Sequence, residues 1–140
     1  MDMEENRFDT KIAVVLRDDL LPWQELNVTA FLMSGIAANP ELLGEPYEDA
    51  DGQRYLPLLR QPVVVLSADA ATLARVHAKV VTRGLPLAVY THDMFSTGHD
   101  AANRATVAAV PTAELDLVGI AVHGPKNPVD KALKGTRLHD

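Results

Sequence analysis

The feature that most constrains this chain is a set of unbroken, branched apolar runs. They are Lys11–Leu16 (KIAVVL), Pro62–Ser67 (PVVVLS), Leu85–Tyr90 (LPLAVY) and Leu117–His123 (LVGIAVH). A strand with one face in water alternates apolar and polar residues. A run without alternation belongs to a strand covered on both faces, as in parallel sheets. Between the runs lie segments with helix punctuation. Pro22 suits a first helical turn, where its missing N–H costs nothing, and Asn39-Pro40 stops the segment Trp23–Ala38. Asp69 can cap the next helix, whose Leu73, Val76 and Val80 share a face, and Gly84 stands where a left-handed C-cap belongs. Asp100 reads as the cap of an Ala-rich helix, Ala101–Val110, ended by Pro111. Asn127-Pro128 opens a last helix that Gly135 closes. The pattern predicts an α/β fold of three layers: a four-stranded, mostly parallel (mixed) sheet with helices on both faces. The second and third strands, joined by a helix, are expected to run parallel through a right-handed crossover.

Residues 1–9 read as a flexible tail and 10–140 as a single domain. Residues 41–62 differ in texture. The turn signal Asp51-Gly52 lies between Tyr47 and Tyr55, so this stretch reads as an inserted surface excursion with a hairpin. It is long for a plain connection, and long ordered loops often carry function. In the helix after the first strand, Leu26, Ala30 and Phe31 fall on one side. That helix has more large apolar residues than one buried stripe needs. The surplus is expected to cover the insertion or a second subunit, which predicts a homodimer.

Composition excludes several classes. The chain of 140 residues has no cysteine, so no disulfide framework, thiolate metal site or cysteine nucleophile is available. Its net charge of −6, with no gathered basic face, argues against a nucleic-acid partner. The acidic start, Met1-Asp2-Met3-Glu4-Glu5, does not resemble a signal peptide, and no run approaches the ~20 apolar residues of a membrane helix. A cytoplasmic protein without a membrane partner is expected. No dinucleotide, P-loop, nucleophile-elbow or HExxH motif occurs, so no cofactor and no metal are assigned.

Candidate chemistry gathers after the third strand, at the carboxyl end where open α/β sheets place ligands. His92, Asp93, Thr97, His99 and Asp100 surround Gly98 there. A metal site from His92, His99 and a carboxylate fits no zinc spacing. Asp93 and Thr97 can orient a water or a substrate amide, or simply satisfy their own turn. Asn27 interrupts an apolar helix, where it either faces a cleft or points to solvent. Asp19 ends strand one, and Met94 and Phe95 either wall such a cleft or plug it.

The ordered set KIAVVLRDDL, VVVLSADAATL, GLPLAVYTHDMFST and LVGIAVHGPKNPVDKALKG resembles the type II peptidyl-tRNA hydrolases. It is more similar still to an uncharacterised family sharing that fold, the domain of unknown function 2000. The resemblance covers about Lys11–Leu138 and implies the hydrolase-like α/β fold. Arg17, Asp19 and Leu20 match the hydrolases' Arg-x-Asp-Leu, and Asp93 and Thr97 match their Asp-Ala-Gly-x-Thr frame, with Met94 and Phe95 in place of the small pair. The hydrolases' helical lysine and glutamine fall on Leu26 and Ala30, and their Gly-Thr turn is replaced by the helix near Asn103. The resemblance therefore implies a shared fold with a pocket at that place, without the charge-bearing half of the hydrolase site.

The expectation is a pocket-bearing, ligand-binding protein or a hydrolase of another substrate, with Asp93 and Thr97 as catalytic candidates. Asp19, Asn27, His92, Phe95, His99, Asn103 and His123 are the candidates for holding a small-molecule ligand. The alternative is a non-catalytic interaction module that uses the 41–62 insertion.

Overall fold

The computed structural model describes residues 8–140. Of the tail expected over residues 1–9, residues 1–7 lie outside the described residues, and Phe8-Asp9 lead into the first strand. In chain order the elements are β1 (Thr10–Arg17), α1 (Pro22–Ile36), β2 (Tyr47–Glu48), β3 (Arg54–Tyr55), β4 (Val63–Ala68), α2 (Ala70–Arg83), β5 (Leu87–Thr91), α3 (Asp100–Ala108), β6 (Leu117–Pro125), α4 (Lys126–Ala132) and β7 (Arg137–Leu138). Short 3-10 turns fill Pro40–Leu42, His92–Ser96 and Thr112–Glu114.

Each apolar run forms a strand, and the sheet order is β5-β6-β1-β4-β7. The sheet has five strands rather than four. The fifth, β7, pairs antiparallel with β4 through two residues, too few to register as a strand pattern. Strands β1, β4 and β5 point the same way, yet only β1 and β4 are parallel neighbours. Strand β6 runs antiparallel between β1 and β5. The sheet is therefore mixed, and the link from β4 through α2 to β5 spans two intervening strands. A both-sides-buried run looks the same whichever way its neighbours point, so strand direction was not in the pattern.

The lack of alternation in β1 has its expected cause. Ile12, Val14 and Leu16 pack beneath α1, while Ala13 and Val15 pack beneath α2 and α4. Helices thus cover both faces. On α2 the Asp69 side chain accepts from the Thr72 N–H at 2.8 Å and Gly84 ends the helix at φ 66°. His77, which its surroundings in the sequence place on the surface, is instead 5% exposed among this helix's core residues. Helix α1 buries Val28, Leu32 and Ile36, not the stripe Leu26, Ala30 and Phe31. It is apolar around most of its circumference, so its sequence did not single out one face. The last helix starts at Lys126, before Asn127-Pro128.

Within residues 41–62, residues 47–55 form a hairpin. Tyr47 faces Tyr55, and the Asp49 carboxylate accepts from the Asp51 and Gln53 N–H groups across the Gly52 turn.

Two features shape the carboxyl end of β5. Tyr90 faces Gly119 but Thr91 faces Leu117, so Val118 is an extra residue, a β-bulge. Bulges bend a strand and often sit beside functional sites. Gly119 lies directly beneath α1. A Cβ there would stand 2.7 Å from Val28 Cγ1, so only glycine lets the helix settle this close.

Candidate functional site

A second row of residues on α1 builds one wall of a groove. Trp23, Asn27 and Phe31 are spaced by four, with Gly35 one further turn on, so they share a helix face beside the buried Val28-Leu32-Ile36 row. Strand β5 supplies the floor with Ala88 and Tyr90. The 3-10 turn after β5 supplies Met94 and Phe95, and α3 closes the far side with Asn103 and Arg104. The groove has a volume of about 960 Å³ and opens at the carboxyl end of β5.

Its lining is aromatic at one end. Phe95 meets Trp23 edge-on at 5.7 Å between ring centres and Tyr90 at 5.2 Å, and Phe31 meets Tyr90 at 6.1 Å. Such tilted contacts are the favoured geometry for aromatic rings. Tyr90 is 4% exposed, and its hydroxyl accepts from Asn27 Nδ2 at 3.4 Å. Burial pushes the Tyr90 phenol above its ordinary value, and the Asn27 bond opposes this in part. Tyr90 is thus a neutral group with a proton to donate.

The other end is polar. The Thr97 hydroxyl touches the Met94 carbonyl at 2.9 Å and the Asn103 side-chain amide. One hydroxyl carries one proton. Thr97 is the donor in both contacts, to the Met94 carbonyl and to Asn103 Oδ1, so its one proton serves one of these two oxygens at a time. Neither partner is a base, so nothing in contact with Thr97 can take its proton. His99 also lines the groove, with a structural duty: its Nδ1 accepts from the Ala102 N–H at 3.2 Å, so it is His99 and not Asp100 that caps α3. Asp100 instead pairs with Arg104 one helical turn on, which leaves this rim close to neutral.

The structure thus brings Asn27, Phe95, Thr97, His99 and Asn103 together. It does not bring all the sequence candidates there. Asp93 is exposed on the same turn and is not part of the lining. His92 is exposed too, its ring edge-on to Phe95 at 5.9 Å from outside. Asp19 pairs with Arg17 at 2.6 Å, and Arg17 also reaches Asp116 at 3.2 Å. His123 lies at the opposite end of the sheet edge, in a separate cavity. Among the described residues no cluster of three or more His, Asp or Glu could hold a metal ion, and no helix is long and apolar enough to cross a membrane. Trp23, Phe31, Tyr90 and Arg104 were missed in the sequence. The available signal was the row of four-residue spacings through Asn27.

The chain is a mixed α/β domain with a helix-walled groove at the edge of its sheet. Residues 10–140 match the family described as protein of unknown function (DUF2000), and the chain belongs to it. It is also similar to the solved structure of a protein of unknown function from Agrobacterium tumefaciens strain C58. The two share 48% identity and a TM-score of 0.92 over 96% of this chain and 100% of the other. No curated protein matches the chain.

Proposed function

We propose that this protein binds a small, largely apolar, uncharged molecule bearing an amide or hydroxyl group, in the groove between α1 and α3. The supporting observation is the convergence of an aromatic end (Trp23, Phe31, Tyr90, Phe95) with uncharged hydrogen-bonding groups (Asn27, Tyr90, Thr97, Asn103) in one groove. Its volume falls at the upper end of the usual range for small-molecule sites, about 300–1,000 Å³. Binding is favoured over hydrolysis because Thr97 has no base partner and Asp93 faces solvent. Fold kinship with the peptidyl-tRNA hydrolases is part of the proposal, since the matching Asp19 and Thr97 both follow parallel-pointing strands. Their activity is not, because exposed Leu26 and Ala30 stand where that family carries polar groups. Purified protein is expected to leave peptidyl-tRNA intact.

Trp23 is the chain's single tryptophan, so its fluorescence reports on the groove. A panel of aromatic amides and alcohols is expected to give at least one saturable change. Asn27→Ala should weaken it about threefold to tenfold, the worth of one hydrogen bond, and Phe95→Ala should weaken it further. A saturable response that both variants leave intact would place the ligand elsewhere and defeat the reading.

A second reading has the insertion as a docking surface for another protein. It is favoured by Tyr47, Tyr55, Leu56 and Leu58, which lie exposed around one shallow surface. A partner held by the wild-type chain but released by Leu56→Asp and Leu58→Asp would support it. We also propose a homodimer through Leu21, just before α1, and Leu26 on α1, both exposed away from the groove. Light scattering at the mass of one 15.2 kDa chain would dismiss that assembly.

A further inference from the structure

Behind the main groove, α1 comes close to β5. A Cβ on Gly35 would stand 3.4 Å from Ala88 Cβ, and these two residues line both the groove and a smaller cavity beyond it. That cavity, about 300 Å³, lies at the amino end of β5. Ile36 and Leu42 are its apolar walls, Pro86 belongs to its rim, and the 3-10 turn that opens the insertion closes it. Asn39 caps that turn, its Oδ1 accepting from the Glu41 N–H at 3.1 Å, and lines the cavity as well.

His123 and Asn39 are the polar residues of this cavity. His123 pairs with Ile12 across β1 and β6, so its ring lies on the α1 face, and its backbone N–H donates to the Pro86 carbonyl at 3.2 Å. Its ring Nε2 is buried and has no hydrogen-bond partner. Buried side-chain nitrogens are usually paired, and leaving one unpaired costs free energy that a suitable occupant recovers. The walls are apolar, so an ionic occupant would be stripped of water without a partner charge.

We propose that this cavity is a second binding subsite, in which His123 Nε2 hydrogen-bonds an uncharged carboxamide or hydroxyl carried on a short aliphatic chain. An imidazole nitrogen either donates or accepts according to tautomer, and both head groups offer the complementary function. The subsite goes beyond the reading of the main groove and does not depend on it.

Butyramide is the probe. The full chain, labelled with 15N, is titrated while the imidazole nitrogens of His123 are followed by long-range 1H–15N NMR and Trp23 by fluorescence. A saturable shift at His123 Nε2 with Trp23 unmoved is the expected result. Saturation transfer to butyramide should fall at least tenfold in affinity for His123→Leu and return for His123→Gln, which restores a hydrogen-bonding side chain. The proposal is overturned if His123 does not shift up to the solubility limit of butyramide, or if His123→Leu binds it as well as wild type. A response at Trp23 alone would support the main groove and overturn this subsite. Should the variants not fold, the wild-type titration decides by itself.

Discussion

Helix α2 buries one apolar stripe, Leu73, Val76 and Val80, with charged Arg75, Lys79 and Arg83 elsewhere on its circumference and Val81 alone exposed among its large apolar residues. Helix α1, across the sheet, buries Val28, Leu32 and Ile36 yet leaves Trp23 57%, Leu26 74% and Phe31 53% exposed. An amphipathic helix finishes its work by sealing a core. A helix apolar on a second face has surface left over, and here that face walls a groove. The difference teaches where to look for function on this fold: the face of α1 whose apolar residues the core did not absorb.

Four measurements break or sharpen that contrast. The largest effect belongs to the sealed face. Leu73→Ala should cost about 2–5 kcal/mol in denaturant unfolding, the range for a buried leucine, whereas Leu26→Ala, compared in the monomer, should stay within about 0.5 kcal/mol. Equal losses would mean that α1 is covered on both faces and the contrast is false. Next is Gly119→Ala, which drives a methyl against Val28 and should cost about 1–3 kcal/mol by overpacking. A neutral result would show that α1 rides higher above β6 than described.

Tyr90→Phe removes one hydrogen bond under the groove. It should cost about 0.5–1.5 kcal/mol and weaken any ligand that Asn27 also holds, because Asn27 then loses its anchor. A variant that binds as wild type would remove Tyr90 from the site.

The smallest effect is a pH dependence. Burial lowers the His77 pKa below its ordinary 6.5. The unfolded chain therefore takes up the proton first as pH falls. This contribution to stability is complete above pH 6.5 and is lost between 6.5 and the lower folded value. His139 works in the opposite sense. Its backbone bond at Asp140 and its pairing with Glu25 raise its pKa, so its contribution is full below 6.5 and fades as pH rises through the folded value. The melting temperature of His77→Leu, subtracted from wild type at each pH, isolates the His77 part. A difference that is flat from pH 7.5 to 5.5 would place His77 in water.

Local sequence determined much of this protein. Four branched apolar runs became four strands because such runs lose most by staying in water on either face. Asp69 and Gly84 bounded α2 because a cap and a left-handed turn are chemistry of a few adjacent residues. Asp51-Gly52 marked the hairpin turn for the same reason. Asn27, Phe95, Thr97 and Asn103 were visible as candidates from their misfit with their surroundings or from the fold they resembled. Tertiary structure alone decided the rest. It set β6 antiparallel between β1 and β5, and it chose which of two apolar faces α1 buries. It gave His99 rather than Asp100 the cap of α3, and it sent His123 to a cavity of its own while leaving Asp93 in solvent. A residue's partners across a sheet, and which way a side chain turns once neighbours crowd it, depend on contacts between segments far apart in the chain, and no local pattern encodes those.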